Sequence, residues 1–225
     1  MTKNLAKGNK LFILLLQKYS ILNFLAHTYL SGENKNIALG NLIGDMVKGN
    51  AYENYETDIR TGLILHRAID SFTDSHEVFL HSKRLISPSF NRYSGIVADI
   101  YYDHFLAKYW SDYCDTDLQK FVNTIYVLLI KKYTQLPPRA QRITPFLIIR
   151  NWMGNYGHLQ ALHYVFLGMH RRTLQKGNMH KAVDVLQLHY DELENDFRVF
   201  FEDVKLFSKE KLAELSAIPN QANTT

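Results

Sequence analysis

With one cysteine in 225 residues, Cys114, an internal disulfide is excluded and the cytosol becomes the default compartment. Glycine (11) and proline (5) are scarce for that length, which favours long helices over many tight turns. The apolar run Leu11 to Leu16 follows a basic start, but it is far too short to cross a bilayer and no small-residue cleavage site follows it. There is no internal repeat, no low-complexity tract and no strand-like alternation bounded by turn pairs. No helix-like stretch gathers lysine and arginine on one face, which counts against a nucleic-acid recognition helix. The net charge of +4 is mild, compatible with an acidic partner without establishing one. These absences predict an all-α fold. One helical domain is expected over residues 22–207, with an N-terminal extension over 1–21 and a C-terminal tail over 208–225, polar from Pro219.

What the chain has instead is aromatics, 14 Tyr and 13 Phe, and ten histidines, several of them beside carboxylates. The stretch from Gly62 to His76 reads as helix. Ile59, Leu63, His66, Ile69, Asp70 and Thr73 follow its three-or-four spacing and share one face. Three apolar residues on that face predict burial, yet His66, Asp70 and Asp74 stack along it one turn apart. Buried carboxylates need a partner or a metal. A second acidic stripe repeats the oddity on the predicted helix Ile96 to Tyr109, where Asp99 and Asp103 are one turn apart and His104 is adjacent. Asp45 lies within a predicted helix, Ile37 to Val47, capped by Asn36; Gly40 and Gly44 lie one turn apart in it, Gly44 directly beside Asp45, and suggest the close approach of a backbone or ligand. His27 closes an apolar stretch ahead of the turn Ser31-Gly32-Glu33-Asn34. Ser87-Pro88-Ser89 reads as a break, and Pro137-Pro138 as a loop carrying Arg139 and Arg142. The last predicted helix carries an apolar seam from Val183 to Val204, most simply a packing face. Four elements thus offer imidazole and carboxylate ligands of the kind that suit Mn, Fe or Zn, with the hard carboxylates tilting the choice toward Mn or Mg. The bland alternative is a set of solvated surface residues.

Asn23-Phe24-Leu25-Ala26-His27, Gly40-Asn41-Leu42-Ile43-Gly44-Asp45, His66-Arg67-Ala68-Ile69-Asp70 with Thr73-Asp74, Asp103-His104-Phe105-Leu106, Gly168-Met169 with Arg171-Arg172, and His189 to Glu194 resemble, in order, the motifs of acyl carrier protein phosphodiesterases. The resemblance covers roughly residues 22–205. It implies a cytoplasmic hydrolase that removes 4′-phosphopantetheine from holo acyl carrier protein, its protein substrate. It also implies Mn²⁺ dependence, with Mg²⁺ or Fe²⁺ as other candidates, and an all-helical fold distantly related to the HD phosphohydrolases. Members begin near Asn23, which makes residues 1–21 extra. Where HD proteins have His-Asp this chain has His66-Arg67, so that ligand set does not carry over unchanged. The motif match and helical faces together nominate His27, Asp45, His66, Asp70 and Asp103 as metal ligands. Asp74 is then expected to orient water, His104 to protonate the leaving oxygen, and Arg67, Arg171 and Arg172 to hold phosphate oxygens. The competing readings are an HD-like phosphohydrolase of a nucleotide or other small phosphodiester, and a non-enzymatic helical regulator binding nucleic acid.

Overall fold

A computed structural model describes residues 23–172 and 177–217. Among the described residues there are twelve α-helices, several 3₁₀ turns and no strand. In chain order the helices are α1 (Phe24–Tyr29), α2 (Lys35–Leu42), α3 (Thr57–Ser75), α4 (Glu77–Phe90), α5 (Ser94–Lys108), α6 (Trp110–Tyr113), α7 (Leu118–Lys131), α8 (Pro138–Ile149), α9 (Trp152–Asn155), α10 (Leu159–Arg172), α11 (Ala182–Leu188) and α12 (Tyr190–Ala217). None of the described helices is long and apolar enough to cross a membrane. The expected extension, residues 1–21, lies outside the described residues, as do residues 218–225 of the tail.

The central stretch forms α3, with Ile59, Leu63, His66 and Ile69 buried as the spacing predicts. Helix α2 packs along it. The two backbones nearly touch where Gly40 meets Gly62: a Cβ on either would overlap backbone atoms of the facing helix. Helix α12 lies across α3, α4 and α5. It buries Leu193, Phe197, Phe200, Phe201 and Val204, so the seam expected from Val183 to Val204 is a packing face, but it is divided between two helices, with Leu186 buried on α11. Phe200 meets Phe79 of α4 and Tyr102 of α5 at ring separations of 5.7 and 5.2 Å. Each such side chain withdrawn from water contributes about 1.5–3 kcal/mol, and this aromatic layer forms the floor beneath the α3 polar face.

Several boundaries differ from the sequence expectation. Asn34, not Asn36, caps α2, its side chain accepting the N–H groups of Asn36 and Ile37. The helix then stops at Leu42 and tightens into a 3₁₀ turn, Gly44–Met46. Pro88 does not break α4 but sits in its last turn, ahead of the left-handed Asn91 (φ 50°). Pro138 opens α8 rather than leaving a loop, because the N–H it lacks would have had no partner in a first helical turn. At the far end α12 continues through 208–217 with Ser208 buried, so those residues belong to the helix rather than to a tail.

Candidate active site

One face of α3, the 3₁₀ turn after α2, the start of α5 and Asn23 enclose a cleft of about 200 Å³ lined by Asn23, Asp45, Asp70, Thr73, Asp74, Ile96 and Asp99. Two imidazoles stand against its carboxylates. His27 Nε2 lies 3.4 Å from Asp70 Oδ1, and His66 Nε2 lies 3.2 Å from Asp70 Oδ2 and 3.6 Å from Asp45 Oδ1. One aspartate therefore offers an oxygen to each ring, and the rings themselves are 4.2 Å apart. Both histidines are buried, whereas Asp45 and Asp70 are part-exposed at the cleft. The ring of His66 fits only because residue 44 is glycine: a Cβ there would overlap it.

The electrostatics follow from that crowding. Burial pulls the His66 imidazole down, but the Asp45 and Asp70 carboxylates outweigh it and lift it to about 9. His27 goes the other way, lowered by burial and then by its neighbour His66, since two cationic rings so close repel. Burial acts against the Asp70 charge, yet His27 and His66 hold its pKa well below the usual carboxylate range. Asp99 is raised well above that range, first by burial and then by Asp70, Asp103, Asp74 and Asp45. Four carboxylates around one small cleft destabilise one another unless a cation joins them.

The site can be tested for such a cation on its own atoms. Neither ring nitrogen of His66 makes a hydrogen bond, although both are buried and Nε2 faces two carboxylates. Nδ1 has no partner at all, which for a buried polar atom costs about 1–3 kcal/mol. One ligand atom from each of His27, His66 and Asp70 falls within 4.8 Å of the others, and Asp45 and Asp99 adjoin them in the cleft. Two imidazoles with carboxylates make a donor set for a borderline divalent ion. These residues fit a metal.

A family model described as acyl carrier protein phosphodiesterase matches residues 22–204. The chain belongs to the acyl carrier protein phosphodiesterase family. Curated relatives of that name include one from Pectobacterium atrosepticum, 32% identical over 80% of this chain and 94% of its own length, and one from Enterobacter sp., 29% identical over 84% and 99%. A third, from Photorhabdus laumondii, is 30% identical over 80% of this chain and 91% of its own. No solved structure matches.

In this phosphodiesterase the structure brings His27, Asp45, His66, Asp70 and Asp74 together and keeps other nominated residues away. Asp103 is turned from the cleft: its two oxygens accept the N–H groups of Leu25 (3.0 Å) and Ala26 (2.8 Å). It caps α1 in place of Asn23, which makes no capping bond, and so it positions the helix that carries His27. Burial lifts its pKa to about 7 against those two hydrogen bonds. His104 does not line the cleft either. Its Nδ1 donates to the Tyr156 carbonyl (2.9 Å) and its Nε2 accepts from the Tyr190 hydroxyl (2.8 Å). Burial lowers it to about 4, leaving a neutral ring with both nitrogens engaged and no placement for a proton donor at the cleft.

Arg67 reaches back instead of into the cleft. Its guanidinium donates to the carbonyls of Val47 (3.3 Å) and Gly49 (2.6 Å) and stacks on Tyr52, fastening the segment that follows Asp45. Arg139 donates to the Asp45 carbonyl from the other side (3.3 Å). Arg171 is exposed and lines a different hollow with Trp152, Tyr156 and Tyr164, sharing no residue with the cleft. The side chain of Arg172 lies outside the described residues. Sequence reasoning passed over Asp99 as a site residue in favour of Asp103, although both stood on one acidic stripe. The signal that separates them is that Asp103 lies opposite the amides of the Asn23 motif, which no spacing rule contains.

Proposed function

We propose that this enzyme hydrolyses the phosphodiester of holo acyl carrier protein, giving apo protein and 4′-phosphopantetheine, with a divalent cation, Mn²⁺ first, in the His/Asp cleft. The names of the relatives support the substrate. The observation that carries the chemistry is the buried His66, whose Nε2 makes no hydrogen bond yet stands 3.2 Å from Asp70 and 3.6 Å from Asp45, beside His27.

His27, His66, Asp70 and Asp45 would hold the cation, with Asp99 supplying the α5 carboxylate. A bound divalent ion can neutralise a phosphoryl oxygen and supply hydroxide near neutral pH. The chain's own residues do the rest. Asp74 is exposed at the cleft, one turn beyond Asp70, where it can orient the attacking water and take its proton. In the overall reaction water adds to phosphorus, the bond from phosphorus to the carrier's serine oxygen breaks, and that oxygen leaves with a proton. Arg67 and Arg139 hold the Asp45 segment still, which keeps the carboxylate in register with His66.

The test is incubation of the metal-supplemented enzyme with holo acyl carrier protein, read by intact mass. Loss of the 4′-phosphopantetheine arm supports the reading. An unchanged mass together with hydrolysis of small phosphodiesters overturns the carrier-protein assignment in favour of a general phosphohydrolase.

A further inference from the structure

Behind His27 lies a closed ring of three hydrogen bonds that the chemistry above does not use. His27 Nδ1 is 2.6 Å from Asn41 Oδ1, Asn41 Nδ2 donates to Ser31 Oγ at 2.9 Å, and Ser31 Oγ donates to the His27 carbonyl at 2.8 Å. All three residues are buried, Asn41 completely. They come from two different elements: Ser31 lies in the turn after α1, while Asn41 is in α2.

The direction of every proton in this ring can be worked out. A carbonyl only accepts, so the Ser31 hydroxyl must donate to the His27 oxygen. That oxygen sits at the end of α1, where the Ser31 N–H turns to Thr28 O (3.4 Å) instead, so the hydroxyl stands in for a helical amide. With its proton spent, Ser31 Oγ can only accept at its other contact, from the Asn41 amide nitrogen. The Asn41 oxygen therefore faces the imidazole and must receive a proton from Nδ1. Flipping the amide would set oxygen against oxygen with no proton between them. A neutral imidazole has one N–H, and here it is committed to Asn41. Nε2 is left with a lone pair, aimed at Asp70 Oδ1 3.4 Å away. A lone pair facing a carboxylate is repulsive unless a cation lies at their meeting point.

We infer that Asn41, fixed by Ser31, is a positioning residue that locks His27 in its Nδ1–H tautomer and presents the Nε2 lone pair to the cation site. This rests on the metal reading above. It assigns to the Gly40-to-Asp45 stretch a second role beside carrying Asp45: one residue of it orients a ligand on another helix. Outer partners of ligating histidines are commonly worth about 10–100-fold in metal affinity.

The experiment uses ¹⁵N-histidine-labelled full chain, first free of metal and then titrated with Mn²⁺ alone. In the wild type the two-bond ¹⁵N–¹H pattern of His27 should report the Nδ1–H tautomer before any metal is added. Asn41→Leu removes the acceptor, and His27 should move to the Nε2–H form with Mn²⁺ affinity lower by about 10–100-fold and helical circular dichroism kept. Asn41→Asp restores an acceptor at Nδ1 and, with the Ser31 hydroxyl turned from the His27 carbonyl to the second carboxylate oxygen, should recover the tautomer and most of the affinity. Ser31→Ala frees the amide to flip and should give a loss between these two. A wild-type His27 protonated at Nε2 overturns the inference outright, even if Asn41→Leu fails to fold. So does a folded Asn41→Leu with wild-type tautomer and affinity. A wild-type protein that shows the Nδ1–H tautomer but binds no Mn²⁺ supports the hydrogen-bond lock and sinks the metal reading instead.

Discussion

Two histidines of this protein, on α3 and α5, are each buried and each near an aspartate, and they end in opposite circumstances. On α5, His104 has both nitrogens in hydrogen bonds, and Asp103 beside it accepts two backbone amides. On α3, His66 has neither nitrogen in a hydrogen bond, and Asp70 one turn away is shared between two rings. The first region is finished without a ligand. The second is a set of donors left facing an opening. A buried ionisable residue therefore points to function when its hydrogen bonds are missing, and to architecture when they are complete.

Four experiments break or sharpen that contrast. The largest effect should come from Asp70→Asn, which removes the carboxylate that both rings face while nearly keeping its shape. Bound metal and turnover on holo acyl carrier protein should fall to background with the helical circular dichroism spectrum unchanged; full metal content and full activity would falsify the ligand assignment. Asp103→Ala should behave in the reverse sense. It strands two backbone N–H groups at the start of α1, a loss of about 2–4 kcal/mol in chemical denaturation, while whatever remains folded still binds metal through His66 and Asp70.

The third experiment is a pH series. His104 is held at about 4, below the usual 6.5 of an unfolded imidazole. Between those values the unfolded chain takes up a proton that the folded one refuses, so acid favours unfolding. The stability contributed here is full above pH 6.5 and is lost as pH falls toward 4, at about 1.4 kcal/mol per unit. His104→Phe should flatten this slope and leave metal binding intact. If metal binding vanishes with the slope, His104 belongs to the site after all.

The smallest effect concerns docking. Lys131 lines a groove with Lys35 and Lys120, and Lys132 pairs with Glu56 at 3.4 Å. Exposed charges are worth about 0.2–1 kcal/mol each, so reversing both lysines to Glu should slow kcat/KM on the carrier protein by roughly twofold to fivefold and spare a small phosphodiester. Rising salt should act in the same direction. An equal loss on both substrates would place these lysines in support of the fold.

Much of the structure was legible beforehand. Helical class followed from scarce glycine and proline and from three-or-four spacing, because that spacing is set by the backbone and holds wherever a helix packs. Gly40 and Gly44 announced close approaches, and both occur: one against the α3 backbone, the other against the His66 ring. The helix ends were less legible. Pro88 and Pro138 each suggested a break, but Pro138 opens α8, where a missing N–H does least harm, and Pro88 costs α4 one hydrogen bond in its last turn without ending it before Phe90.

The sequence by itself determined that α3 is a buried helix carrying His66, Asp70 and Asp74 on one side, since a period of 3.6 residues fixes which side chains share a face. It could not determine which carboxylate of α5 joins them. Asp99 and Asp103 are one turn apart and point nearly the same way, so spacing treats them alike. Tertiary structure separates them by height. The level of Asp99 stands beside the cleft, and the turn after it meets the open amides of α1, where Asp103 is consumed as a cap. Periodicity fixes a direction around the helix, but the neighbour met at each level along it depends on how the other helices are stacked.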